Sequence, residues 1–275
     1  MTMTQGFVAA CVQLNNGRET AENLSRVVSM IHQAAETAAF VALPENADRL
    51  EPDIDRLRAG AEPEGSHQAL IAFRQAAKSS RVWLLVGSVC VRKDDGDLAN
   101  RSYMINPEGD ITARYDKIHM FDVDLANGES YRESDRCTPG DRAVVAETPW
   151  GGVGMTVCYD LRFPHLHRDL AKRGAFMLAG PAAFTQRTGE AHWEILLRAR
   201  AIETGSFVVA PAQCGTHAEG RQTFGHSLII DPWGKVLVDG GPDPGIVTAL
   251  IDPDHGTKVR RMIPSLTHDR DFHAG

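Results

Sequence analysis

"HSLIIDPWGKVLVD", residues 226–239, is an apolar run, a turn tetrad Asp-Pro-Trp-Gly and a second run rich in Val and Leu. Pro and Gly in turn positions between two such runs signal a β-hairpin. The scheme also occurs earlier: in "SYMINPEGDITARYDK" (102–117), Asn-Pro-Glu-Gly separates two strands. Working outward from each hairpin uncovers a repeated order of elements. Ahead of the first come a strand "FVAACVQL" (7–14), a helix "TAENLSRVVSMIHQAAETAA" (20–39), a strand "FVALPEN" (40–46) halted at Pro44, a helix around 64–79 and a strand "VWLLVGSVCV" (82–91). In the first helix, Leu24, Val27, Val28, Ile31, Ala34 and Ala35 recur at helical spacing, with Thr20 as N-cap. Ahead of the second hairpin come "GVGMTV" (152–157), a helix near 164–173, "AFMLAG" (175–180), a helix over 189–204 and "FVVAPA" (207–212). That last helix carries Trp193, Leu196, Leu197 and Ala201 on one stripe and Gly205 just past its end.

The chain therefore reads as two similar halves, each βαβαβ closed by a hairpin. Strands alternating with amphipathic helices belong to the α/β class. Two such sheets packed face to face, with helices outside, give a four-layer α-β-β-α sandwich. No linker separates the halves, so residues 1–275 are expected to form a single domain, with 252–275 as a C-terminal arm.

Composition narrows the function. The chain has 275 residues, 43% hydrophobic and 24% charged, and a formal net charge of −7. It lacks a long basic run, which argues against nucleic acid as a partner. "VWLLVGSVCV" is too short to span a membrane. The five cysteines, Cys11, Cys90, Cys137, Cys158 and Cys214, contain no Cys-x-x-Cys pair. With no secretory signal at the N-terminus, reduced thiols in a cytoplasmic protein are the expectation. Neither a Walker motif nor Gly-x-Gly-x-x-Gly is present, so nucleotide binding has no support. His165 and His167 with Asp169 fall on different faces of a helix, which suits the surface better than a metal.

Three strand ends deliver reactive groups: Glu45 ends "FVALPEN", Lys117 follows "ITARYD", and Cys158 ends "GMTVC". In α/β sheets, sites gather beyond the carboxyl ends of strands. A carboxylate can take the thiol proton as general base. An ammonium favours the thiolate and the oxyanion of a tetrahedral intermediate. Together they suffice for acyl transfer through a thioester. Each also has an ordinary structural reading: a core cysteine, a helix-start carboxylate, a solvated surface lysine.

"LPEN" (43–46), "RYDKIHMFDVD" (114–124) and "GMTVCYDLRFP" (154–164) resemble the three signature blocks of the nitrilase superfamily, the carbon–nitrogen hydrolases. The resemblance implies an α-β-β-α sandwich bearing a Glu-Lys-Cys triad, with no cofactor and no metal. It assigns Glu45 as general base, Lys117 as oxyanion partner and Cys158 as nucleophile, with the Tyr159 backbone N–H completing the oxyanion hole. A second glutamate is expected in the loop after the lysine block. "NGESYRESDRCTPGD" (127–141) offers Glu129 and Glu133, and Glu133 is the better match for positioning Lys117.

"PAAFTQRTGEAHWEILLRARAIET" (181–204), "APAQCGTH" (210–217), "TFGHSLIIDPWGKV" (223–236) and "RRMIPSLTHDR" (260–270) resemble the Nit-type amidases, nearest to the deaminated glutathione amidases. The implied function is hydrolysis of the amide of a small carboxylate-bearing molecule, a linear C–N bond other than a peptide bond, to an acid and ammonia. Alternatives are an ω-amidase acting on α-ketoglutaramate, a hydrolase of N-carbamoyl amino acids or aliphatic amides, a nitrilase, and a non-catalytic scaffold of the fold. Arg162 is expected to bind a substrate carboxylate, or else to pair with Asp160. Phe184 and Thr185 are further pocket candidates. Arg198, Arg200 and Glu203 are expected to form a buried ion network behind the site. The family assembles as homodimers or larger homo-oligomers, with the C-terminal arm as a contact.

Overall fold

The computed structural model describes residues 5–125 and 128–273. Its principal strands are β1 (Phe7–Gln13), β2 (Phe40–Ala42), β3 (Trp83–Arg92), β4 (Leu98–Ile105), β5 (Ile111–Asp116), β6 (Val144–Thr148), β7 (Gly151–Met155), β8 (Ala175–Ala179), β9 (Phe207–Ala210), β10 (Leu228–Ile230), β11 (Val236–Asp239) and β12 (Gly245–Ile251). The helices are α1 (Thr20–Ala35), α2 (Ile54–Ala59), α3 (Gln68–Ser80), α4 (Pro164–Lys172), α5 (Gln186–Thr204) and α6 (Pro253–Met262).

One sheet runs β12-β1-β2-β3-β4-β5 and the other β11-β10-β9-β8-β7-β6. In each, three parallel strands are followed by an antiparallel hairpin. The hairpin turns are built alike: Gly109 N–H donates to the Asn106 carbonyl, Gly234 N–H to the Asp231 carbonyl, and both glycines have positive φ. The repeat extends further than the hairpins announce. β12 lies antiparallel beside β1, and β6 lies antiparallel beside β7, on equivalent edges.

Alternation along the strands makes the layers. Ala9 and Cys11 of β1 join Phe40, Leu85, Met155, Met177 and Val209 in a core contributed by both sheets. Ala10 and Val12, on the opposite face, pack with Val27, Ile31, Leu70 and Phe73 of α1 and α3. Leu178 and Val208 of the second sheet pack outward against Leu170, Trp193 and Leu197 of α4 and α5. The four layers are thus α-β-β-α, as expected. Each large apolar side chain sealed between layers contributes about 1.5–3 kcal/mol.

Local differences have local causes. Thr20 is not the N-cap. Glu19 already has extended dihedrals, its carbonyl accepts the Asn23 N–H, and Thr20 is the first helical residue. β2 stops at Ala42, short of the 40–46 run, because Leu43–Pro44 leads the chain out of the sheet. The helix expected over 64–79 is a short 3₁₀ turn at Glu64–Ser66 followed by α3. α5 begins earlier than 189, because the Thr185 side chain accepts the Thr188 N–H and caps it there; Gly205, at φ 57°, ends it in the left-handed region. In the last turn of α6, Arg260 donates to the carbonyls of Thr204 and Ala175, which holds this helix against the end of α5. Among the described residues no helix is long and apolar enough to cross a membrane.

Candidate active site

The three signature residues stand where β2, β5 and β7 leave their sheets. Pro44 lacks an N–H and cannot continue the β2 ladder. Its neighbours are held instead by outlying bonds: Leu43 N–H to the Leu85 carbonyl at 2.9 Å and Ala47 N–H to the Ser88 carbonyl at 2.8 Å. Gln213 Nε2 donates to the Glu45 carbonyl at 3.0 Å. A Cβ at Gly87 would overlap the Leu43 carbonyl and the Pro44 backbone, so only glycine lets this bend lie against β3. Lys117 is fixed by its own backbone, N–H to Asn100 and carbonyl from Gly140. Cys158 opens a 3₁₀ turn, Cys158–Arg162, at φ 51°, with its N–H donated to the Pro181 carbonyl at 2.8 Å. A non-glycine residue in the left-handed region carries roughly 1–3 kcal/mol of strain and marks a turn that aims its side chain.

The side chains converge. Lys117 Nζ, buried, lies 3.0 Å from Glu45 Oε1 and 2.9 and 2.7 Å from the two oxygens of Glu133. Glu45 Oε2 accepts the Ala183 N–H at 3.0 Å, and the carboxylate lines the same cavity as the Cys158 thiol, near enough for each to shift the other's ionisation. Glu133 Oε2 accepts the Phe121 N–H at 2.7 Å, so the loop is tied to the lysine it bears on. Glu129 is exposed and accepts from Tyr131; of the two glutamates considered, Glu133 is the one in the site.

One ammonium serves two carboxylates in a nearly dry setting. Burial pushes the Glu45 carboxyl up, but the Lys117 charge and the hydrogen bonds from Cys158 and Lys117 outweigh it and leave it below its ordinary value. For Lys117, burial disfavours the charge, yet Glu133 and Glu45 hold it ionised well above the ordinary lysine range. The Cys158 thiol is raised well above 9.0 by burial and then by the Glu45 charge, with Lys117 opposing. The resting arrangement is therefore a thiol, an ionised glutamate and an ammonium.

The remaining expected residues line the same cavity, with Tyr159, Arg162, Phe184 and Thr185 on one wall. Arg162 does not pair with Asp160. Its guanidinium sits 5.8 Å from the Tyr159 ring centroid and 5.6 Å from that of Phe184, with Nη2 3.2 Å from His192 Nδ1. Asp160 is wholly buried and taken by the Tyr115 hydroxyl, the Val157 N–H and both the N–H and Nδ1 of His119. The Thr185 hydroxyl is engaged with Thr188, so only its outer surface meets the cavity. Behind the wall, Arg200 bonds the Leu161 carbonyl and pairs with Glu203, which supports the Cys158 turn. Arg198 is exposed and pairs with Glu194, outside that network. His167 is buried with Nδ1 at the Phe163 carbonyl, whereas His165 is exposed. Among the described residues no group of three or more His, Cys, Asp or Glu side chains is placed to hold a metal ion.

Sequence reading missed several contributors. Asn100, on β4, donates through Nδ2 to both Glu45 Oε1 (3.0 Å) and Glu133 Oε1 (3.1 Å). Arg136, Arg221 and Tyr131 also line the cavity. Asn100 carries no distinct signal, since it stands beside Arg101 and Ser102 in the strand LANRSYMI and looks like one more polar strand residue. A thiol near a carboxylate beside a buried ammonium can carry out nucleophilic acyl transfer.

Comparison with known proteins agrees with this chemistry. Residues 8–261 match the model of the carbon–nitrogen hydrolase family. A deaminated glutathione amidase of Yersinia enterocolitica is 42% identical over 267 residues, covering 95% of this chain and 92% of that protein. The protein of the same name from Homo sapiens is 38% identical over 270 residues, covering 96% and 82%. The crystal structure of Saccharomyces cerevisiae Nit3, a member of branch 10 of the nitrilase superfamily, superposes with a TM-score of 0.88 at 27% identity and covers 98% of each chain. Fold, converging side chains and likeness over nearly the whole length lead to one assignment: the chain belongs to the carbon–nitrogen hydrolase family and is a hydrolase of amide C–N bonds.

Proposed function

We propose that Cys158, Glu45 and Lys117 hydrolyse an amide through a thioester, with a deaminated-glutathione-type molecule as substrate. The observation that carries this reading is the convergence on one cavity of Cys158, Lys117 and Glu45, with the Glu45 carboxylate 3.0 Å from the ammonium. Because the thiol is raised and the carboxyl lowered, the proton rests on sulfur and must pass to Glu45 as the bond to carbon forms. Sγ attacks the amide carbonyl, and the oxyanion is met by Lys117 Nζ and the Tyr159 N–H. Collapse breaks the C–N bond and Glu45 hands its proton to the departing nitrogen. Water, deprotonated by Glu45, then attacks the thioester and releases the acid and the thiol. Glu133 holds Lys117 in place throughout.

Arg162 supports a carboxylate on the substrate, since its guanidinium faces the cavity and has no carboxylate partner among the described residues. Relatives named deaminated glutathione amidase over most of this chain support the substrate class. In deaminated glutathione the nitrogen leaves as the amine of cysteinylglycine; in α-ketoglutaramate it leaves as ammonia. Both yield α-ketoglutarate, which gives one readout for two substrates. Purified protein is expected to release α-ketoglutarate faster from deaminated glutathione, and Cys158→Ala to release none. Full activity in Cys158→Ala would overturn the mechanism, and a preference for α-ketoglutaramate would make the chain an ω-amidase.

A further inference from the structure

The chain is acidic overall, with a formal net charge of −7. Yet Arg136, Arg162 and Arg221 all reach one cavity, and none forms an ion pair with a carboxylate among the described residues. Glu45 and Glu133, which line the cavity with them, are committed to Lys117. Glu51 is paired with Arg18.

The three arginines do not stand together. Arg162 belongs to the inner cavity, on the wall of the Cys158 turn. Arg136 and Arg221 also line an adjoining outer cavity, together with Tyr131 and Thr185 and with three acids engaged elsewhere, Glu129 with Tyr131, Glu190 with Gln186 and Glu219 with Arg18. They therefore mark the junction between the reacting centre and the opening. Arg221 is held there by one bond, Nη2 to the Ala183 carbonyl at 3.0 Å, and by the Tyr131 ring at 5.6 Å. Its Nε is buried and has no hydrogen-bond partner. Arg136 makes one long bond, Nη1 to the Glu51 carbonyl at 3.3 Å. A guanidinium has five N–H donors, so both retain most of their capacity. A buried donor left unmatched and two like charges at one opening are both relieved by a bound anion.

We infer that Arg136 and Arg221 form a second anion subsite at the cavity mouth, which receives a carboxylate on the leaving-group side of the scissile amide. This rests on the proposed function and deepens it: the preferred substrate is a dianion, with Arg162 holding the acyl-side carboxylate. Deaminated glutathione carries a carboxylate on each side of its amide, whereas α-ketoglutaramate carries one.

The test compares kcat/KM for these two substrates in the wild type, Arg136→Gln, Arg221→Gln and Arg221→Lys, with thermal melts to check folding. Loss of a charged hydrogen bond to substrate is worth about tenfold or more. The ratio of dianion to monoanion turnover is expected to fall about tenfold in each glutamine variant, chiefly through KM for the dianion, and to recover partly in Arg221→Lys. A ratio within twofold of wild type in both glutamine variants overturns the subsite and leaves the proposed function standing. If the wild type cleaves neither substrate, the proposed function fails instead. The subsite is then decided by calorimetry on Cys158→Ala, with N-glutarylglycine as dianionic amide and glutaramate as monoanionic amide. A preference for the first that Arg221→Gln abolishes supports it; no preference, or one that survives, overturns it.

Discussion

Asn100 Nδ2 lies 3.0 Å from Oε1 of Glu45, the same oxygen that accepts from Lys117. The amide also reaches Glu133, so a neutral donor stands between two carboxylates that share one cation. Asn100→Asp replaces that donor with a third negative charge. A buried group left without its partner costs about 1–3 kcal/mol. We expect kcat/KM to fall by roughly one to two orders of magnitude in Asn100→Asp, and by less in Asn100→Ala. Steady-state kinetics on both variants, with melts as control, would expose a purely structural Asn100 by equal losses.

Removing the cation should matter differently from removing either acid. Lys117→Met leaves Glu45 and Glu133 facing each other without compensation, and breaking such a buried pair costs about 3–5 kcal/mol. Combining Lys117→Met with Glu133→Gln removes one of the stranded charges and should restore part of that stability. Activity should stay absent in both, because no ammonium meets the oxyanion. Denaturant unfolding would read the first effect, and α-ketoglutarate release the second. A double variant no more stable than the single would contradict the account.

The pH dependence has a defined sign. Glu45 is held below its ordinary 4.5, so its stabilising contribution is present above that value and is lost as pH falls through the lowered one. Lys117 is raised above 10.5, so its contribution is present below that value and is lost as pH climbs through the raised one. The Cys158 thiol is raised above 9.0 and adds no neutral-range limb. A rate profile flat between about pH 6 and 9 follows, with the stabilising contributions of the pair lost only below 4.5 for Glu45 and above 10.5 for Lys117. An acid limb in kcat/KM near pH 6–7 would mean that Glu45 is not held ionised as described.

Asp160 is wholly buried two residues past Cys158, and its partners Tyr115 and His119 straddle Lys117 in sequence. Its carboxylate therefore sets the spacing between the thiol turn and the lysine strand. Asp160→Asn turns one of its two acceptor oxygens into a donor facing other donors. The expected loss is about 1–3 kcal/mol of stability with a larger fall in kcat than rise in KM. Unfolding midpoints equal to wild type would show that the spacing is set elsewhere.

The sequence made some of this legible and hid the rest for physical reasons. The halves were readable because hairpin turns and amphipathic helices announce themselves locally. β6 and β12 were not, because each pairs with a strand whose own signal is complete without it, and in β12 the partner is more than 230 positions away. Glu45, Lys117 and Cys158 were visible as polar residues at the ends of apolar runs. Asn100 and Gly87 were not, since their roles depend on what lies across the sheet from them. Arg136 and Arg221 looked like any surface arginines, because only folding brings them to one cavity. Arg198 and Arg200 differ by two positions on a helix, which turns one outward and the other in.

β12 has a further consequence for how the protein is made. Its register runs from Phe7 against Ile251 to Gln13 against Gly245, so β1 leaves the ribosome more than 230 residues ahead of the strand it pairs with. Until then the first sheet has an unprotected edge along Phe7–Gln13, and open edges recruit other chains. Pairing across such a separation is slow because the loop must close before contacts compensate. A nascent or truncated chain lacking residues 245–251 is thus an aggregation hazard even with its active-site residues already synthesised.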